Sequence, residues 1–121
     1  MSDFKPFTIE RPWGKFRQFT HNSLSTVKIH RMNGGGKTSL QSHAKRSEFW
    51  HIISGSGIIQ IGDKKYNVVE GDEYSVAIGV KHRWIAGSSG MVLLEVAIGD
   101  FDEEDITRYE DEYGRTGQKN N

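Results

Sequence analysis

The chain has 121 residues and no cysteine, and its 16 basic residues balance 16 acidic ones to a formal net charge of zero. This length suits one domain with a single core, and the lack of cysteine excludes disulfides and thiolate metal sites. The balanced charge, with no apolar run of membrane length and no secretion signal, predicts a cytoplasmic protein that binds neither nucleic acid nor membrane.

Short apolar runs separated by glycines follow one another along most of the chain. The 14 glycines and only 2 prolines indicate many tight turns between short strands. No segment before residue 100 keeps a helical period long enough to predict a helix. The sequence therefore predicts an all-β domain with glycine-rich turns at residues 55–57 and 87–90 and strands at 15–19, 25–32, 39–43, 48–53, 57–61, 66–69, 73–78 and 91–98.

Two features near the start of the chain suggest a packing anchor and a functional surface. The Arg-Pro-Trp-Gly run at residues 11–14 predicts a rigid turn whose Trp13 packs as an anchor. In the next strand Lys28 and His30 share a face with Met32, because side chains alternate along a strand. A basic residue and a titratable residue on one face suggest a functional surface, although a hydrogen-bonded structural histidine is the alternative.

Three side chains with metal-ligand chemistry follow within eight residues. If residues 39–43 form a strand, Gln41 and His43 point the same way, and Glu48 returns on the next strand after a short polar turn. His82 is a fourth candidate. One amide oxygen, two imidazoles and one carboxylate suit a divalent cation and leave coordination positions open. The spacing alone leaves ordinary charged turn residues as the alternative.

The last third of the chain adds a candidate acid and a change of composition. Glu95 interrupts an otherwise apolar strand, which predicts a buried acid with a perturbed pKa or an ion-paired structural glutamate. The acidic residues at 102–105 suit the N-terminus of a helix, so a short helical C-terminal segment is expected to pack on the strands.

These spacings together resemble the two motifs of the cupin superfamily. The first motif maps onto Gly35, Gln41, His43, Glu48 and Gly55, with glutamine in place of the first histidine. The second maps onto Gly71, Ala77, Gly79, His82 and Ala86, so its usual proline and asparagine are replaced. The resemblance implies a single cupin domain, a jelly-roll-like double-stranded β-helix. Its expected parts are an N-terminal arm at residues 1–10, a barrel at 11–98, and a C-terminal segment and tail at 99–121.

Further motifs narrow the resemblance to the type II phosphomannose isomerases. They are Arg-Pro-Trp-Gly, Ser-Leu-Gln-x-His-x-x-Arg-x-Glu-x-Trp, Gly-Val-x-His-Arg and Asp-Ile-x-Arg-Tyr-Glu-Asp-x-Tyr-Gly-Arg. The chain departs from that family at His30, where an aliphatic residue is usual, and at Ala97, where glutamine is usual. The nucleotidyltransferase domain that commonly precedes this one in the family is not part of the sequence, so we expect no GDP-mannose synthesis by this chain alone.

The resemblance implies an enzyme that interconverts mannose 6-phosphate and fructose 6-phosphate through an enediol. One divalent metal ion (Zn, Mn, Co, Ni or Fe) held by Gln41, His43, Glu48 and His82 would be the electrophile. A non-catalytic sugar-binding or sensor cupin and, less favoured, a metal-dependent dioxygenase are the alternatives. The exposed sheet edges of small barrels favour a homodimer.

The remaining roles follow from the chemistry of that reaction, which needs a base near a carbon-bound proton and cations for a phosphate. Glu95 and His30 are the candidate bases, and Lys28 is grouped with them as a candidate catalytic residue. Arginine suits phosphate because of its forked donors. The candidate phosphate ligands are Arg46, Arg83, Arg108 and Arg11. The acidic residues at 102–105 would repel phosphate and are expected to lie away from the mouth of the barrel.

Overall fold

A computed structural model describes residues 5–114, and within this range the backbone forms β-strands and no helix. The strands are β1 (Phe7–Arg11), β2 (Gly14–Gln18), β3 (Ser25–Met32), β4 (Leu40–Ser42), β5 (Arg46–Ile61), β6 (Lys64–Val69), β7 (Glu73–Val76), β8 (His82–Gly99) and β9 (Thr107–Glu110). A search of these residues finds no helix with the length and apolar character needed to cross a membrane. The predicted all-β fold is confirmed.

Two long strands, β5 and β8, organise the main sheet. They run antiparallel and pair along both of their halves, with Glu48 opposite Ala97 in one half and Ile58 opposite Ile85 in the other. The seven-stranded sheet has the order β6-β5-β8-β4-β9, with β3 on β8 and β7 on β5. Strand β7 pairs with the first half of β5, and β3 pairs with the second half of β8.

The glycine-rich segments at 55–57 and 87–90, predicted as turns, bend continuous strands instead. The register of β5 on β8 shifts between Ile52 and Ser54 and again between Gly55 and Gly57. Gly55 has φ 81°, and a Cβ there would lie 2.3 Å from the carbonyl oxygen of Gly90. Only glycine permits both the positive φ and this close approach. The prediction of two turns was wrong, because a bulge and a turn require the same residue type.

The inward face of β5 carries both the candidate site and the apolar core. Its alternate residues Arg46, Glu48, Trp50 and Ile52 are all buried. Trp50 and Ile52 join Ile59, Met91 and Leu93 in the apolar core. Polar residues therefore occupy one end of the barrel interior and apolar residues the other.

The predicted C-terminal helix is wrong for the described residues. Residues 102–105 form a turn, and β9 pairs with β4. Ile106 and Arg108 are buried while Thr107 and Tyr109 are exposed. This alternation has the period of a strand, and the open edge of β4 provides the hydrogen-bonding partners. Residues 115–121, the rest of the predicted segment, lie outside the described residues.

The N-terminal strands β1 and β2 form a hairpin with a two-stranded sheet of its own. Trp13, in its turn, is 73% exposed, so the prediction that Trp13 packs as an anchor was wrong. The hairpin is held instead by Arg17, which donates to both carboxylate oxygens of Glu73 on β7 at 2.8 and 2.6 Å. The expected boundary between arm and barrel falls inside this hairpin.

Candidate metal centre and cavity

The structure brings His43, Glu48 and His82 together inside the barrel. His43 follows β4, Glu48 lies on the inward face of β5, and His82 begins β8. The Nε2 atom of His43 is 3.2 Å from Oε2 of Glu48, and Nε2 of His82 is 3.8 Å from Oε1. One ligand atom from each residue lies within 4.8 Å of the others, and all three residues are buried.

The hydrogen bonds of both histidines select the tautomer that a metal ligand needs. Nδ1 of His43 lies 2.7 Å from the carbonyl oxygen of Asp105, and Nδ1 of His82 lies 3.0 Å from that of Val80. A carbonyl oxygen only accepts, so each Nδ1 carries the proton and donates it. Each Nε2 is then the ring nitrogen that faces Glu48. This arrangement is typical of metal-binding histidines.

The carboxylate of Glu48 is oriented and kept ionised by its neighbours. Trp50 donates its indole N–H to Oε1 at 2.9 Å, and Arg46 donates Nε–H to Oε2 at 3.2 Å. Burial acts to raise the pKa of Glu48, but the hydrogen bond with His43 and the charge of His82 hold that pKa well below its usual range. Burial lowers the pKa of His82, against the opposing effect of Glu48. An ionised carboxylate and a neutral imidazole are the forms that bind a cation, so these residues fit a divalent metal ion.

Gln41, the fourth expected ligand, lies beside this cluster. It pairs with His82 across the β4–β8 bridge and lines the same cavity. Its amide nitrogen donates to the hydroxyl of the buried Ser39 at 3.0 Å and lies 3.4 Å from the Ser39 carbonyl oxygen. The amide oxygen is therefore directed away from Ser39.

The cluster opens into a cavity of about 390 Å³. Most of the residues expected at a site from the sequence line this cavity. They are Lys28, His30, Gln41, His43, Arg46, Glu48, His82, Glu95 and Arg108. Residues from β3, β4, β5, β8 and β9 thus share one wall, although they are far apart in the chain.

Two of the expected phosphate ligands do not belong to this cavity. Arg83 is buried, and its guanidinium donates to the Thr38 carbonyl oxygen and to Glu110 at 3.2 and 3.0 Å. It alternates with His82 and Trp84 along β8, so it faces the other way. Arg11 is at the end of β1, where its guanidinium lies 5.4 Å from the centroid of the Phe16 ring. Both assignments are therefore corrected to structural roles.

Arg46 and Lys28 both pack against the Phe101 ring. The Arg46 guanidinium carbon is 4.2 Å from the ring centroid, and the Lys28 Nζ is 4.4 Å from it. Arg46 is buried and also reaches Nε2 of His43 at 3.3 Å, whereas the Lys28 side chain is 34% exposed. Arg46 is therefore next to the candidate metal ligands, and Lys28 is near the solvent.

Glu95 and His30 form a close pair on the cavity wall. Nε2 of His30 is 2.6 Å from Oε1 of Glu95, and Glu95 is buried. Burial raises the pKa of the Glu95 carboxyl, and the nearby charge of Glu48 adds to this, while the bond to His30 opposes it. The His30 ring packs at 4.8 Å against Trp84. A carboxyl group with a raised pKa and a paired imidazole can exchange a proton with a bound molecule.

Sequence reasoning missed several cavity residues. Arg31, Lys37 and Tyr113 line the cavity but were not candidates. Arg31 alternates with the candidate residues Lys28 and His30 along β3, and it is exposed, yet it still lines the cavity. The parity of Trp84 with His82 along one strand predicts that it lines the same interior, and Trp84 does line the cavity. Lys37 and Tyr113 come from loops, whose positions no periodicity predicts.

The acidic segment 102–105 does not lie away from the mouth of the barrel. Glu103 lines the cavity, and its Oε2 accepts from Lys28 Nζ at 2.8 Å. Asp105 accepts from the backbone N–H groups of Ala44 and Lys45 at 2.8 and 2.9 Å. The expectation of charge avoidance was wrong, because Lys28 at the rim pairs with Glu103 and backbone N–H groups hold the Asp105 carboxylate.

Comparison with known proteins shows which family and which relatives this sequence resembles. The family model described as "Mannose-6-phosphate isomerase C-terminal" matches residues 4–111. The xanthan biosynthesis protein XanB of Xanthomonas campestris is 34% identical over 110 residues, which are 89% of this chain and 24% of that protein. A mannose-1-phosphate guanylyltransferase of Klebsiella pneumoniae is 31% identical over 109 residues, 88% of this chain and 23% of that protein. The chain thus spans about a quarter of the length of these relatives.

Solved structures agree on the fold. A crystal structure described as a sugar phosphate isomerase from a cupin superfamily, from Silicibacter pomeroyi, superimposes with a TM-score of 0.58 at 21% identity. The superposition covers 63% of this chain and 51% of that one. At this identity the likeness shows the cupin fold alone.

Proposed function

The chain belongs to the mannose-6-phosphate isomerase C-terminal family, and from this premise we propose that it is a metal-dependent sugar-phosphate isomerase. The proposed reaction interconverts mannose 6-phosphate and fructose 6-phosphate through an enediol. The observation that carries the proposal is that one cavity holds both the His43–Glu48–His82 cluster and the buried Glu95–His30 pair. Such a reaction needs an electrophile and a base on the same substrate.

The metal would be held by His43, Glu48 and His82, with the amide oxygen of Gln41 as a further ligand. When bound, it would supply a positive charge that polarises the carbonyl group of the sugar and stabilises the developing oxyanion. Arg46 lies beside these ligands and has five N–H donors. Three of them are directed to Glu48, His43 and the Asp102 carbonyl oxygen. The others can donate to sugar oxygens.

Glu95 is proposed as the base. Its carboxylate would take the proton from C2 of mannose 6-phosphate, the electron pair would form the C1–C2 double bond of the enediol, and the same carboxyl group would return the proton to C1. His30, at 2.6 Å from Glu95, would orient that carboxylate and carry a proton between the two sugar oxygens. The raised pKa of Glu95 brings it closer to the working pH, which favours transfer in both directions.

The phosphate group would bind at the rim of the cavity. Lys28, Arg31, Lys37 and Arg108 line the cavity together with Arg46. Because Arg46 contacts the candidate metal ligands, we assign it to the sugar end rather than to the phosphate. Lys28, first considered as a catalytic residue, is nearer the solvent and is assigned to the phosphate.

The test combines elemental analysis of the purified protein with an isomerase assay. We expect about one divalent metal ion per chain, conversion of mannose 6-phosphate to fructose 6-phosphate, and exchange of the C2 proton in deuterated water. Metal removal by a chelator should stop both conversion and exchange, and added metal should restore them. Sugar-phosphate binding without exchange would support the sensor alternative instead, and oxygen consumption by the iron-loaded protein would support the dioxygenase alternative.

A homodimer and a cytoplasmic location remain predictions. Across residues 5–114, β3 pairs with β8 alone, so its other edge is available for a second copy. Val27 and Ile29 on its outward face are 57% and 52% exposed. Pairing along this edge would cover both the free backbone groups and these side chains. Analytical ultracentrifugation of the protein and of an Ile29→Lys variant would test it, with a monomeric wild type as the contrary result.

A further inference from the structure

The rim of the cavity carries a carboxylate where the proposed function requires an anion-binding site. The cationic residues of the cavity wall are Lys28, Arg31, Lys37, Arg46 and Arg108, and its carboxylates are Glu48, Glu95 and Glu103. Glu48 and Glu95 are buried and engaged with histidines. Glu103 differs because its side chain is 55% exposed and accepts from the rim lysine, Lys28.

The segment that carries Glu103 is fixed through other groups. Asp105 accepts from the N–H groups of Ala44 and Lys45, and the Asp102 carbonyl oxygen accepts from Arg46 at 3.1 Å. Phe101 packs against Arg46 and Lys28. The backbone is thus anchored on both sides of Glu103 without the Glu103 side chain. The position of the segment therefore does not depend on the Lys28–Glu103 ion pair alone.

An ion pair with this exposure is weak and is screened by salt. A phosphate dianion brings more charge and more acceptor oxygens to Lys28 than a carboxylate does. It would also be repelled by the Glu103 charge if that side chain stayed in place. Binding of an anionic substrate at Lys28 therefore requires that the ion pair between Glu103 and Lys28 break.

We propose that Glu103 determines the charge specificity of the cavity by occupying Lys28 as an internal competitor of the substrate's phosphate group. The inference rests on the proposed function, because it assumes a phosphorylated ligand at the rim. Weakly anionic or neutral sugars do not displace Glu103, and a phosphorylated sugar does so at a cost in affinity. Glu103 therefore affects binding and not the chemical step, because its carboxylate pairs with Lys28 at the rim, whereas His43, Glu48 and Glu95 are buried.

The test compares Glu103→Gln with Glu104→Gln. Glu104 is the neighbouring exposed acid, does not line the cavity, and makes its hydrogen bond to Asp102 through its backbone N–H. The two variants have the same net charge. Glu103→Gln is expected to lower the KM for mannose 6-phosphate roughly twofold to fivefold with kcat unchanged. Glu104→Gln is expected to leave both constants as they are, and the gain of Glu103→Gln should shrink in high salt.

A double-mutant cycle identifies the partner. In a Lys28→Gln background, Glu103→Gln should change the KM by less than it does in the wild type, because the ammonium group for which Glu103 and the phosphate compete is absent. An equal decrease of KM in both backgrounds, or an equal effect of Glu104→Gln, would show a general charge effect and overturn the proposal. A rise in KM with Glu103→Gln would also overturn it.

Binding of inorganic phosphate, followed by titration calorimetry, separates this inference from the isomerase proposal. If the protein does not turn over mannose 6-phosphate but Glu103→Gln binds phosphate more tightly than the wild type, the competition at Lys28 holds and the isomerase proposal fails. If phosphate binding shows no such increase, including the case in which neither protein binds it, the role of Glu103 is overturned whatever the isomerase assay shows.

Discussion

Among residues 5–114, two Arg–Glu–His clusters have similar composition, one inside the barrel and one outside. Inside, Glu48 contacts Arg46 and His43; outside, Glu73 contacts Arg17 and His51. The Glu48 side chain is 2% exposed and that of Glu73 is 19% exposed. The inner cluster also has His82 and faces a cavity. The residue types alone therefore do not make a site, since burial, a second imidazole and space for a ligand distinguish the two clusters.

One strand, β5, contributes residues to both clusters. Glu48 and His51 lie on β5 three residues apart, so they point to opposite faces. The inward face collects ligands around a buried carboxylate, and the outward face ties the N-terminal hairpin to β7 through Glu73. If this comparison is correct, changes in the inner cluster should abolish chemistry, and equivalent changes in the outer cluster should affect only the hairpin.

The largest expected effect is that of His82→Ala, compared with His51→Ala. Removal of an inner ligand should abolish metal retention and lower isomerase activity by more than about a hundredfold, since loss of even an outer partner of a ligand costs 10–100-fold in metal affinity. His51→Ala should retain both properties. Elemental analysis and the isomerase assay measure them. Full activity and full metal content in His82→Ala would disprove the metal assignment.

The second largest effect is expected for Glu95, the buried acid of the cavity wall. Glu95→Gln should lower kcat by roughly 10²–10⁴ because the proposed base is lost, while metal content stays unchanged. Glu73→Gln in the outer cluster is the matched control and should have the wild-type kcat. The deuterium exchange at C2 of the sugar should decrease in parallel with kcat. An unchanged exchange rate in Glu95→Gln would remove this residue from the proton-transfer step.

A smaller effect is expected for the hairpin. Glu73→Gln removes the two charged hydrogen bonds of Arg17, and exposed pairs of this kind contribute about 0.2–1 kcal/mol. Faster amide hydrogen exchange should follow in β1 and β2, with unchanged exchange in β5 and β8. Loss of protection across the main sheet would show that the outer cluster is integral to the barrel.

The smallest expected effect is the pH dependence of the stability of the hairpin. Burial acts to raise the pKa of Glu73, but the hydrogen bonds from Arg17 and His51 lower it below its usual value of 4.5. The contribution of this carboxylate to stability is then fully present above the unfolded-state pKa and is lost as the pH falls through the lower folded-state pKa. The protection of the hairpin amides should therefore decrease below about pH 4.5 in the wild type. In Glu73→Gln this dependence should be weaker, and an identical pH profile would contradict the assignment.

Much of the candidate site was predictable because it depends on short-range spacing. The alternation in a strand places Lys28 with His30, and the polar turn after residue 43 brings Glu48 back beside His43. His82 was a candidate from its ligand chemistry, and its offset in the second cupin motif agreed with that assignment. The imidazole centroids of His43 and His82 lie 5.0 Å apart, so the structure does bring the two rings together.

Other features depended on partners that spacing does not specify. The glycines at positions 55 and 90 are equally suited to a turn or a bulge. A bulge forms because β5 and β8 pair on both sides of these glycines. The acidic residues at 102–105 satisfied the rule for a helix start, yet the open edge of β4 and the basic rim drew the segment into a turn and a strand.

The sequence by itself determined the all-β class, the faces of the strands and the set of residues able to bind a metal, because these follow from side-chain chemistry and a period of two residues. Only the tertiary structure decided which charged residues share a cavity. It turned Arg83 away, excluded Arg11 and brought Glu103 to Lys28. The physical reason is that long-range pairing and burial set the distances between charges that lie far apart in the chain, and local patterns carry no record of those distances.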